Sequence, residues 1–152
     1  MGDPDFDRDK AHRYFSAACF NEAWTFIRKT DRTPDDDEQM IRLTQASLWH
    51  WTQRRDCTRQ NMSIGYWQAS RVYAKLGRAE EARRYGQLCL AETSEEVPFY
   101  RGYAYEALAR AESVAGKRAV ALKHSAEAAR LAQRVTDLED RAALLKDLET
   151  IS

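Results

Sequence analysis

The sequence predicts an all-α protein, and three observations lead there. Ala, Leu, Arg and Glu abound while Val and Ile are scarce, the vocabulary of helix formers. Six Gly and three Pro leave few interruptions in 152 residues. No segment shows sustained two-residue alternation of apolar and polar side chains, so no sheet is expected. The length implies a single domain, residues 1–152, large enough to bury a core without disulfides or metal.

Seven helices can be drawn. Residues 7–29 form the first, and its apolar residues (Tyr14, Phe15, Ala18, Phe20, Ala23, Trp24, Phe26, Ile27) cover most of the circumference. Such a helix is expected to pack on more than one side. A turn near Cys19, Phe20 and Asn21 would split it in two; antiparallel alternation favours one helix, because an even number of helices before residue 60 lets later pairs stack in phase. The second opens where Thr33 caps, Pro34 takes the first turn and Asp35, Asp36, Asp37 and Glu38 complement the macrodipole; it continues to about residue 55. A third spans 60–76, stopped by Gly77 as a left-handed cap, and a fourth 79–93. Pro98 follows a break and leads a fifth helix to 115, stopped by Gly116; the sixth covers 117–134. Thr136 and Glu139 form a capping box that opens a last helix, 136–150, with a polar outer side.

Two stretches repeat one another. Tyr66, Ala69 and Tyr73 lead to Leu76, Gly77 and Ala82; Tyr105, Leu108 and Glu112 lead to Ala115, Gly116 and Ala121. The stop glycines lie 39 residues apart (116 minus 77), and the two alanines keep that spacing. Gly allows the tight reversal, and Ala allows close approach of the paired helix. This pattern, over residues 63–132, resembles the tetratricopeptide repeat. The period is longer than the usual ~34 residues, and the proline that ends a typical unit is displaced to Pro98. The resemblance implies an antiparallel helix-hairpin solenoid, an α-α superhelix of about seven helices. The runs Ser47 to Arg54 and Gly65 to Tyr73 also resemble a bacterial helical-repeat family, a likeness that implies no activity.

First helices of tetratricopeptide units line the concave surface. That resemblance assigns a groove to Ile64, Trp67, Arg71, Ala74 and Lys75 of the third helix and to Tyr103, Glu106, Arg110, Ser113 and Val114 of the fifth. Aromatic side chains beside Arg combine rigid apolar area with a directional donor fork, the composition of binding hot spots. The competing reading is a helix face with ion pairs, of which Glu106 and Arg110 make an ordinary i,i+4 example. The function expected from this groove is non-enzymatic binding of an unidentified protein or peptide.

A second reading places a small-molecule or enzymatic pocket at Trp49, His50, Trp67 and Tyr103. At 100° per residue Trp49 lies about 160° from Trp51. One tryptophan is therefore core, and the other packs on a second neighbour or meets a ligand. Leu43 and Ala46, towards the back side with His50, favour a second packing surface. A third reading is self-association through the aromatic surface, giving a homo-oligomer.

Other chemistry finds little support. No H-E-x-x-H, phosphate-cradling loop or G-x-S-x-G elbow is present, and His12, His50 and His124 are far apart in sequence, so neither metal, cofactor nor catalysis is expected. The alternation Asp3, Asp5, Asp7, Asp9 lacks the turn Gly and closing Glu of a calcium loop. Glu22 projects between Phe15, Ala18 and Phe26, where a buried carboxylate would need a partner. Cys57 sits among Arg54, Arg55 and Arg59, which favour a thiolate, with Asp56 opposing. Basic and acidic residues balance at 24 each, which argues against a nucleic-acid partner. Three scattered cysteines, no signal peptide and no apolar stretch of bilayer length point to the cytoplasm and to no membrane association.

Overall fold

The structure, a computed structural model, describes residues 5–152, so Asp3 of the acidic alternation lies outside the described residues. Seven α-helices and no strand occur among them: α1 (Arg8–Ile27), α2 (Pro34–Thr52), α3 (Arg59–Lys75), α4 (Ala79–Ala91), α5 (Pro98–Val114), α6 (Arg118–Gln133) and α7 (Leu138–Glu149). The all-α, antiparallel helix-hairpin architecture expected from the sequence is present.

Each terminus has a local cause. Asp7 caps α1 by accepting from the Lys10 N–H. Thr33 and Asp36 form a reciprocal capping box at α2, behind which Pro34 needs no hydrogen bond. Thr58 and Asn61 do the same at α3, starting it one residue earlier than expected. At α7 the cap is Asp137, which accepts from Asp140 N–H, rather than Thr136; no capping box forms there.

The two stop glycines do what the repeat requires. Gly77 and Gly116 have φ of 74° and 75°. In each case two hydrogen bonds close the helix: Gly77 N–H donates to Ala74 O and Arg78 N–H to Tyr73 O, Gly116 N–H to Ser113 O and Lys117 N–H to Glu112 O. This is the Schellman arrangement, whose left-handed residue has no Cβ to clash.

Helices α1 and α2, α3 and α4, and α5 and α6 pair as hairpins, and among the described residues the helix backbones pack only on helices within two positions of them in the chain. That nearest-neighbour pattern defines a solenoid. α1, α3, α5 and α7 form one layer, in which α3 and α5 run parallel. Helix α7 closes the stack on α5 and α6.

Small side chains set the spacing. Ala69, Ala82, Ala104, Ala109, Ala111, Ala128 and Ala132 are fully buried. At the α3–α4 approach the Ser70 hydroxyl reaches the Ala82 carbonyl at 2.8 Å. Polar side chains fill part of the core, and all but the Thr44 hydroxyl find hydrogen-bond partners there. Gln68 ties α3 to α1 by donating to Phe20 O at 2.9 Å, and Ser47 ties α2 to α1 by donating to Ser16 O at 2.7 Å.

α1 is one unbroken helix, with no turn at residues 19–21. It packs on two sides, against α2 and α3, but not all round: Tyr14 and Phe15 are exposed, and so is Glu22, which needs no buried partner. The reason is position. Among the described residues α1 lies at one end of the stack, with α2 and α3 to pack against.

Candidate functional site

The parallel layer brings the predicted residues of α3 and α5 face to face. Trp67 and Glu106 occupy equivalent positions 39 residues apart, as do Arg71 and Arg110. Glu106, in place of a second tryptophan, becomes the hub. Its side chain is 1% exposed. The Trp67 indole N–H donates to Oε2 at 3.0 Å, while Arg71 and Arg110 donate to Oε1 at 3.1 Å and 2.6 Å. The repeat has placed two guanidinium groups around one buried carboxylate.

Helix α7 adds a second acid. Asp147 accepts from the Tyr103 hydroxyl at 2.8 Å and lies 3.6 Å from Arg71. Burial first, and then the Asp147 hydrogen bond and charge, hold the Tyr103 hydroxyl well above the usual phenol range. Arg110 also donates to the Asp147 carbonyl and to Thr150.

Aromatic rings extend this hub across the layer. Trp24 lies against Trp67 with centroids 5.4 Å apart, Trp67 meets Tyr103 edge-on at 5.3 Å, and Tyr103 meets Phe99 at 5.2 Å. Edge-to-face contacts of this kind favour fixed ring orientations. Trp67 and Tyr103 are half-buried, so part of each ring faces outward.

Two recesses flank Glu106. Towards the N-terminal ends of α3 and α5, a cavity of about 310 Å³ is lined by Ile64, Trp67, Cys89, Phe99, Tyr100 and Tyr103, together with Ser63. The polar tips of Trp67 and Tyr103 are turned to Glu106 and Asp147, which leaves ring faces for the cavity. Towards the C-terminal ends, a recess of about 340 Å³ lies among Arg71, Lys75, Arg110, Ser113 and Val114, with Thr150 to Ser152 beyond. Among the described residues Lys75 makes no ion pair. Partial burial, and then the guanidinium groups of Arg32, Arg71 and Arg110, pull its pKa below the ordinary lysine value.

No protein-family model matches the chain, and neither a curated protein nor a solved structure is significantly similar to it. The site therefore rests on its own geometry. Trp67, Arg71, Tyr103, Glu106 and Arg110 come together in one network.

Trp49 and His50 do not join them. They lie at the other end of α1, where the His12 and His50 Nδ1 atoms are 2.8 Å apart and Trp49 meets both imidazoles edge-on. His12 and Trp24 are separated by about 18 Å along α1. The four-residue pocket of Trp49, His50, Trp67 and Tyr103 is not assembled. Trp49 is 55% exposed, so the second packing surface expected for it is absent; its back side faces beyond the end of the stack. Trp51 is the more buried tryptophan, under the Arg54 guanidinium at 3.9 Å. Burial, reinforced by the neighbouring His12, lowers the His50 pKa.

The cysteines also divide. The Arg54 guanidinium is held by Asp56 at 2.7 Å rather than by a thiolate. Burial raises the Cys57 pKa despite Arg54, so the neighbouring guanidinium groups do not prevail there. Burial pushes the Cys89 thiol up to about 12, beside Ser63 O at 3.2 Å. At pH 8 the Cys89 thiol stays protonated and shielded from reagents. An Ellman titration of native protein should therefore show two thiols reacting ahead of the third, and all three together after denaturation. Equal native rates would contradict the burial of Cys89.

Sequence reasoning missed Trp24, Phe99, Tyr100, Cys89 and Asp147. For Phe99 and Tyr100 a signal existed, since they lie one turn before Tyr103 on the same helix. Asp147 carried none, because its contact depends on how α7 docks.

Proposed function

We propose that this chain is a non-enzymatic binding module that holds an extended peptide or a protein segment along α3 and α5. The observation that carries the proposal is the pairing of an apolar cavity and a cationic recess on either side of one buried carboxylate. The cavity, about 310 Å³, suits one apolar side chain of the partner. The recess, with Lys75 unpaired and Glu106 already shared by Arg71 and Arg110, suits an acidic group. Trp67 and Lys75 are about 12 Å apart along α3, the span of three or four extended residues. The partner is therefore expected to present an aromatic or branched aliphatic residue, and an acidic residue three or four positions away. The repeat of Gly77 and Gly116 and its likeness to tetratricopeptide units support this reading. Free thiols at Cys19, Cys57 and Cys89 fit action in a reducing cytoplasm.

Substituting Trp67 or Arg71 would unpair Glu106 and confuse binding with folding. Ile64→Glu and Lys75→Glu avoid this, because neither residue bonds to Glu106 among the described residues. A random peptide library displayed on phage and selected on the wild-type protein is expected to enrich that pattern. The enriched peptides should bind each variant at least about tenfold more weakly, a loss of ~1.4 kcal/mol, with unchanged thermal unfolding of the variants. No enrichment, or peptides indifferent to both substitutions, would overturn the proposal.

A further inference from the structure

The end of the stack at α1 and α2 carries a second arrangement, independent of the groove. His12 and His50 are 38 residues apart in sequence, yet their Nδ1 atoms approach to 2.8 Å, with ring centroids 5.0 Å apart. In a neutral pair at this distance the Nδ1–H of one ring donates to the Nδ1 lone pair of the other, so the two Nδ1 atoms face each other. Phe15 and Trp49, 45% and 55% exposed, lie against them, and Tyr14, 67% exposed, meets Phe15 edge-on at 5.1 Å. Phe15 stands 5.5 Å from the His50 ring and Trp49 5.0 Å from it. Large exposed rings gathered about two imidazoles call for a cover.

We propose that His12 and His50 are one half of a zinc-type site, completed by the same pair from a second copy of this chain. Imidazole nitrogen is a preferred ligand for zinc, at bond lengths of about 2.0–2.1 Å in a tetrahedral set. Two ligand nitrogens in such a set stand about 3.3–3.4 Å apart, so the observed pair needs to open by only about half an ångström. The hydrogen now on one Nδ1 moves to Nε2 of its ring, leaving both Nδ1 lone pairs for the metal. Among the described residues no third His, Cys, Asp or Glu joins the pair. Two ligands leave a tetrahedral site half filled, and a two-fold axis through the metal supplies the other two. The same axis lays Tyr14, Phe15 and Trp49 of one copy against those of the other. A formal net charge of zero opposes no approach of like chains.

Zinc titration of the chelator-treated full chain tests this. Calorimetry should give one zinc per two chains, and sedimentation velocity should show the mass doubling at micromolar zinc. In ¹⁵N spectra the Nδ1 resonances of both histidines should move on zinc addition. His12→Ala and His50→Ala should abolish binding and doubling while circular dichroism without zinc stays unchanged. Trp49→Asp, on the rim, keeps the histidine pair and should lose the doubling. No zinc binding, one zinc per chain at unchanged mass, a wild-type spectrum in which neither Nδ1 moves, or undiminished doubling in Trp49→Asp would each overturn the proposal.

Discussion

Replacing Glu106 by Ala is expected to lower folding stability by about 3–5 kcal/mol, read as a reduced midpoint of urea unfolding at unchanged slope. Glu106 is 1% exposed, and its partners Arg71 and Arg110 are 19% and 16% exposed. Without the carboxylate, two guanidinium groups stay half-buried and face each other across its place, and the Trp67 indole N–H loses its acceptor. Desolvation already spent on the cations is then no longer offset. The pair energies themselves are a poor guide, because the cost lies in what is left unpaired. A rescue separates these effects. Glu106→Leu combined with Arg71→Met and Arg110→Met removes all three charges and keeps the volume. It should restore most of the loss, since buried ion triads replaced by apolar side chains are often neutral or better. A loss below about 1 kcal/mol for Glu106→Ala would show the carboxylate to be solvated.

The fold was largely legible because its determinants are local. Thr33, Pro34, Gly77 and Gly116 act through their own backbone neighbourhood, and each ends or begins a helix within a residue of its expected place. The 39-residue period reports helix pairing, which is local in a solenoid. The meeting of Trp67 with Glu106 was legible for the same reason, since equivalent positions on parallel helices face one another. What failed involved the ends of the stack. Periodicity places apolar residues around α1 but cannot say that one side has no neighbour, hence the exposure of Phe15 and Trp49. The meeting of His12 with His50, and of Tyr103 with Asp147, depends on the docking of whole helices and leaves no mark in spacing.

Leu144→Ala is the second large effect expected, about 2–5 kcal/mol, with a consequence for the groove as well. Leu144 is fully buried and is the one such residue on α7. It lies over Gly102 of α5, so closely that a Cβ on that glycine would come within 2.6 Å of Leu144 Cδ2; Leu131 Cβ lies 3.6 Å from the same point. The missing side chain at residue 102 is thus the socket that receives α7. Truncating Leu144 empties it and leaves polar contacts, those of Arg141, Asp147 and Thr150, to hold the helix. Those contacts are partly exposed, so they cannot replace the buried apolar area. Loosening α7 also withdraws Asp147 from Tyr103 and Arg71, so peptides selected on the wild type should bind more weakly to Leu144→Ala. Gly102→Ala provides the compensating change. Its methyl group enters the space vacated by Leu144, and Ala favours the helix over Gly by up to ~1 kcal/mol. The double substitution should be more stable than Leu144→Ala by more than Gly102→Ala alone shifts the wild type. Strict additivity of the two would mean that residues 102 and 144 do not share the space that seats α7.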